Sequence, residues 1–204
     1  MKTLILEQSQ IKETANLLKQ GEIVAFPTET VFGLGAIYSS KQAYDKLAEI
    51  KKRPKGQLFT VMVASRDDVE NYAVMTPLIE AITEKFLIGP LTIIVPAKSD
   101  VPSWIKGEKE EIGIRISSMK YVRDLIKEVG QPLLVPSANI TGTKPAVNAK
   151  EAYDMFNNVI SGVVKGESVS RTPSTIIRIS DKIELVREGA ITLQSILKEV
   201  EDLL

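Results

Sequence analysis

The chain has 204 residues, with 26 Lys or Arg against 26 Asp or Glu, 44% hydrophobic and 25% charged. This suits one globular domain without a global field to draw it onto nucleic acid or an anionic membrane. It contains no Cys and no His, which excludes disulfides, thiolate chemistry, Ser-His-Asp hydrolysis and ordinary zinc catalysis. The apolar start is cut by Glu7 and no run of about 20 apolar residues follows, so a cytoplasmic protein without a membrane segment is expected.

In chain order, Ser9 is placed to cap a helix over 10–20, with Ile11, Ala15 and Leu18 on one face and Gly21 ending it. "EIVAFP" (22–27) reads as a strand. Ser40 precedes a helix carrying Ala43, Leu47 and Ile50, which Pro54 stops. "LFTVMVA" is a strand, and "PLIEAITEKF" is a helix with Leu78, Ile79, Ile82 and Phe86 as its apolar stripe. Strands follow at "LTIIVPA", "IGIRI" and "PLLVPSA", with the helix "YVRDLIKEV" between the last two. A helix near "AKEAYDMF", strands at "STIIRIS" and "IELVRE", and a helix bearing Leu193, Ile196, Leu197, Val200 and Leu203 complete the chain. Interleaved strands and helices predict an α/β fold: a single-domain, twisted, open mixed sheet flanked by helices. Strand order stays open.

Polar residues cluster where these strands begin or end. Thr28, Glu29 and Thr30 follow "EIVAF"; Thr92 opens a strand; Ser137, Asn139 and Thr141 follow "PLLVP"; Ser174 and Thr175 open "STII"; Arg187 ends "IELVR". Ligands in open α/β sheets bind beyond strand ends, so these groups are expected to converge on one crevice. Ser, Thr and Asn also serve as caps and turns, and "SANITG" can be a turn with Asn139 or Gly142 at positive φ. The "GLG" at 33–35 lacks the third glycine of a dinucleotide fingerprint, and no P-loop occurs. Lys51, Lys52, Arg53 and Lys55 can be a solvated helix end. Arg115, between Ile114 and Ile116, is different, because a charge on an interior strand must find an anion or acceptors. Hydroxyls, small residues and cations in this arrangement suit a nucleotide, with chemistry resting on positioning and electrostatics.

"PTETVFGLGA", "IKKRP", "GPLT", "IGIRI", "VPSANITG", "TPSTI" and "LVREGAI" occur in this order across residues from about 10 to 195. In this the chain resembles the YrdC-like (TsaC) family. The resemblance implies a YrdC-like domain over 1–204 with a basic concave face and no appended C-terminal domain. It implies a nucleotidyltransferase that makes threonylcarbamoyl-AMP and pyrophosphate from L-threonine, bicarbonate or CO₂, and ATP, for t6A modification of tRNA. Mg²⁺ would be carried mainly by the ATP phosphates, with no metal held by the protein. Partners would be the t6A transferase proteins that receive the product, and contact with tRNA is not required.

By the same resemblance, Lys51 and Arg53 are the catalytic cations and hold ATP together with Ser137, Asn139 and Arg187. Thr30, Arg115 and Ser174 bind L-threonine, with Thr28, Thr92 and Thr175 in support. Phe32, Leu58, Met62, Ser117 and Arg178 depart from the family pattern. "FTVM" is closer to YciO-type relatives with another nucleotide-dependent activity, which is the first alternative; a non-enzymatic RNA-binding module using Lys51 to Lys55 is the second.

Overall fold

The computed structural model describes residues 2–54 and 56–203, so Lys55 of the basic cluster lies outside the described residues. The chain forms β1 (Leu4–Leu6), α1 (Ile11–Lys19), β2 (Val24–Phe26), β3 (Gly33–Ile37), α2 (Lys41–Lys51), β4 (Thr60–Met62), α3 (Pro77–Phe86), β5 (Leu91–Pro96) and β6 (Glu111–Arg115). It continues with α4 (Lys120–Val129), β7 (Leu133–Leu134), α5 (Ala149–Phe156), β8 (Gly162–Val164), β9 (Thr175–Ile179), β10 (Ile183–Arg187) and α6 (Leu193–Glu199).

The strands join in the order β1-β8-β2-β3-β7-β4-β6-β5-β9-β10. Pairing is parallel for β1–β8, β8–β2, β4–β6 and β5–β9, and antiparallel elsewhere. This is the mixed open sheet expected. The central strands β2, β3 and β7 are buried throughout, and α1 packs on both β2 and β3. α1 packs on α4, while α2 and α5 lie on β3 and β8. Among the described residues no helix is long and apolar enough to cross a membrane.

Several boundaries moved for identifiable reasons. The N-cap of α1 is Gln10 and not Ser9, and it makes no side-chain capping bond; its amide oxygen instead accepts from the Glu7 N–H at 2.9 Å. Ser40 does cap α2, accepting from the Ala43 N–H at 3.1 Å. That helix ends at Lys52, which turns left-handed (φ 49°) two residues before Pro54. In α3 only Ile79 and Ile82 of the expected stripe are fully buried. In α6 Ile196 is buried, and Val200 closes the same patch just beyond the helix, whereas Leu203 is exposed.

Candidate functional site

The site begins with a row that runs across the sheet. Arg115 on β6 is in register with Met62 on β4. One residue beyond the Ile114–Ile93 pair, it adjoins Thr92 of β5, which is in register with Ile176 of β9. A bulge between Leu185 and Arg187 then brings Arg187 of β10 opposite Ile176. Facing residues on neighbouring strands share a sheet face, and a bulge re-aims the side chain beside it. Met62, Arg115, Ile176 and Arg187 therefore floor one cleft. The walls are Thr28, Thr30 and Gly33 on one side and Arg53, Ser137 and Ser174 on others. Of the residues expected to converge, Thr28, Thr30, Arg115, Ser137, Ser174 and Arg187 line this cleft, whereas Glu29, Thr92, Asn139, Thr141 and Thr175 do not.

Three arginines line this cleft, and no Asp or Glu does among the described residues. The Arg53 guanidinium stacks over the Phe59 ring at 4.5 Å, with Nε donating to the Gln57 carbonyl at 3.3 Å and Nη2 to the Leu58 carbonyl. Phe59 is in turn held edge-on by Tyr44 at 5.1 Å. Arg187 donates from Nε and Nη2 to the Ser174 carbonyl at 3.1 and 2.8 Å, and from Nη2 to the Ser174 hydroxyl at 3.2 Å. Burial pulls the proton affinity of both groups below its ordinary value, and a neighbouring guanidinium adds to it: Arg187 for Arg53, Arg115 for Arg187. Arginine stays charged regardless, so Arg53 and Arg187 keep their positive charges at the cleft.

Arg115 is 5% exposed, and its nearest anion is within the chain. Its Nη2 donates to Glu29 Oε1 at 2.6 Å and to the Thr30 hydroxyl at 2.9 Å, while its Nε is buried with no hydrogen-bond partner. The second carboxylate oxygen of Glu29 accepts from the Ser117 hydroxyl. Thr28 donates its one hydroxyl proton to the Val31 carbonyl at 2.7 Å, so at the 3.0 Å contact between the two threonines Thr30 is the donor. The "PTET" loop is thus closed on itself before any ligand arrives. Gly33 and Gly35 answer to packing: a Cβ would meet Val135 at 2.4 Å and Phe26 at 2.5 Å respectively.

Lys51 and Asn139 lie behind the cleft wall, not on it. Lys51 is 2% exposed, and its ammonium donates to the Ser137 carbonyl (2.5 Å), the Asn139 carbonyl (2.8 Å) and Asn139 Oδ1 (3.1 Å). Burial first, and Arg53 second, bring its pKa down to about 8, so it is protonated at neutral pH. Asn139 Oδ1 also accepts from the Ser137 hydroxyl at 2.6 Å, and its amide donates to the Ile140 and Thr143 carbonyls. Gly142, and not Asn139, supplies the positive φ (88°) of the "SANITG" turn.

Thr92 and Thr175 also lie outside the lining. Thr92 braces the Ser174 hydroxyl at 3.1 Å. Thr175 accepts from the Gly189 and Ile191 N–H groups at 3.0 Å each, fixing the segment after Arg187. That segment crosses so closely that a Cβ on Gly189 would fall 2.2 Å from the Pro173 carbonyl oxygen.

Of the family departures, Phe32, Leu58 and Met62 line the cleft. Arg178 instead pairs with Glu111 at 3.0 Å, away from it. The sequence reading assigned no contact to Ser117, although its position two residues after Arg115 on an extended segment was a legible signal that both share a face. Phe59 carried no such signal.

The Sua5_yciO_yrdC family, described as Telomere recombination, matches residues 16–189. A protein of Vibrio cholerae serotype O1 named threonylcarbamoyl-AMP synthase is 31% identical over 182 residues, covering 88% of this chain and 97% of its own. The Pyrococcus abyssi Sua5 structure, complexed with L-threonine, superposes with a TM-score of 0.90 at 29% identity, covering 98% of this chain and 61% of that one. The chain thus spans about three fifths of that longer protein. Escherichia coli YciO superposes with a TM-score of 0.88 at 21% identity, covering 96% of this chain and 99% of that one, a likeness of fold.

Proposed function

We propose that this chain, which belongs to the Sua5/YciO/YrdC family, makes threonylcarbamoyl-AMP and pyrophosphate from L-threonine, bicarbonate or CO₂, and ATP. The observation that carries the reading is the cleft floored and walled by Arg53, Arg115 and Arg187 with no carboxylate in its lining among the described residues. The relative named threonylcarbamoyl-AMP synthase and the Sua5 structure holding L-threonine support it.

The chemistry explains why such cations are needed. The unprotonated amine of threonine takes up CO₂ as a carbamate. A carbamate oxygen then bonds to the ATP α-phosphorus while the bond from that phosphorus to the bridging oxygen breaks, and pyrophosphate leaves. Two anions must come to contact distance, so fixed cations lower the barrier by neutralising both. Arg115 takes the threonine carboxylate, beside Thr30 and Ser174. Arg53 and Arg187 take the triphosphate, with Ser137 at the nucleotide. Magnesium enters on the triphosphate of ATP, since the carboxylate nearest the cleft, Glu29, has both oxygens engaged. The product is a mixed anhydride that water destroys, so t6A transferase proteins that take it up directly are the natural partners, and the cytoplasm is where its substrates meet.

Pyrophosphate release by the purified protein tests this reading. It is expected to require ATP, bicarbonate and L-threonine together, with D-threonine inactive. Release that ignores threonine would favour the YciO-like reading. The RNA-binding reading loses support from the burial of Lys51, one of the cations it relied on.

A further inference from the structure

Arginine and carboxylate usually pair through two parallel hydrogen bonds, yet Glu29 gives Arg115 only one oxygen. The reason is visible at the other oxygen. Ser117, fully buried, donates its hydroxyl proton to Glu29 Oε2. The same hydroxyl accepts from the Met119 N–H at 3.2 Å, and the Ser117 carbonyl accepts from Arg123 Nη1 at 2.6 Å. The serine is therefore fixed by the start of α4 on two of its groups, and it pins the carboxylate in turn. Arg115 is left with a buried Nε that has no partner, an N–H for which a carboxylate would compete.

We propose that Ser117 is a positioning residue: by holding Glu29 Oε2 away from Arg115, it stops the two from closing into a bidentate pair and keeps Arg115 available to the amino-acid carboxylate. This rests on the reading of Arg115 as the threonine-carboxylate site. Removing the hydroxyl frees Glu29 to rotate onto the Nη2–Nε edge, so an internal anion occupies the ligand's place. Arg53 and Arg187 are untouched, so ATP binding is left alone.

Calorimetric titration of the whole chain with L-threonine and, separately, with MgATP tests the proposal. Ser117→Ala is expected to weaken threonine binding about tenfold or more, a difference of about 1.4 kcal/mol, with ATP affinity within about twofold of wild type. The double variant Ser117→Ala/Glu29→Gln is expected to regain most of the loss, because the amide has one oxygen to accept and cannot close the bidentate pair. A merely structural serine would give the opposite order, with the double variant worse. Equal threonine affinity in wild type and Ser117→Ala, or parallel loss of threonine and ATP binding, would overturn the proposal. Should Ser117→Ala fail to fold, Ser117→Thr, which keeps the hydroxyl, is expected to bind threonine within about threefold of wild type; a loss as large as tenfold there would count against it. No threonine binding by the wild-type chain overturns the site reading and this proposal together.

Discussion

Lys51→Met is expected to lower the unfolding free energy by about 2–4 kcal/mol and to weaken ATP binding, although Lys51 does not line the cleft. Its ammonium has three protons and meets three oxygens, those of Ser137, Asn139 and the Asn139 side chain. Leaving a buried acceptor unsatisfied costs about 1–3 kcal/mol, and the gain from no longer burying a charge offsets part of the sum. The Lys51 carbonyl also accepts from the Thr141 N–H at 2.9 Å, so the end of α2 and the "SANITG" turn are one assembly. Losing the ammonium loosens the wall that presents Ser137. Lys51→Arg should not rescue the variant, because a planar fork cannot address three oxygens set around a point. Urea unfolding alongside ATP titration separates the alternatives. A variant that keeps its stability but loses ATP binding would make Lys51 a direct phosphate ligand.

Arg53→Ala is expected to reduce kcat/KM by about 10²–10³, the loss of about 2.7–4 kcal/mol typical of one preorganised charge at a reacting centre. The preorganisation is specific. The guanidinium rests on Phe59 at 4.5 Å and is tied to two carbonyls in the 57–58 segment, so it spends little entropy when phosphate arrives. Arg53→Lys should recover little, since an ammonium neither stacks on the ring in the same way nor forks to two oxygens. Steady-state pyrophosphate release checks this. A fall below about threefold, with ATP affinity unchanged, would remove Arg53 from its assigned role.

How much of this could be read beforehand depended on range along the chain. The helices α3 and α5 were legible almost to the residue, since a cap, an apolar stripe and a stop all lie within one stretch. The strands β1, β3 and β8 were not, although β2 and β4 are as short: β1 lies at the sheet edge with two of its three residues exposed, and β3 and β8 carry glycine, a weak strand former. β3 also hides in a glycine pair whose packing against Phe26 and Val135 shows only once the strands pair. In the site, Arg53, Arg115, Arg187, Thr30, Ser137 and Ser174 do share one cleft. Position near strand termini pointed to Thr30, Ser137, Ser174 and Arg187, a charge on an interior strand pointed to Arg115, and only the family resemblance pointed to Arg53. Direction was out of reach: whether Lys51 points at a phosphate or at a backbone turn depends on a contact 86 residues away. The transverse row from Met62 to Arg187 depends likewise on register and a bulge, which are tertiary properties. Ser117 looked like a departure from a pattern; its meaning lies in Glu29, 88 residues distant.

The most direct measurement is mass spectrometry of a reaction holding the purified chain, MgATP, L-threonine and ¹³C-bicarbonate. The account predicts threonylcarbamoyl-AMP carrying the label, absent when any one component is omitted. A folded protein that binds ATP and threonine but yields only unlabelled nucleotide products would contradict it.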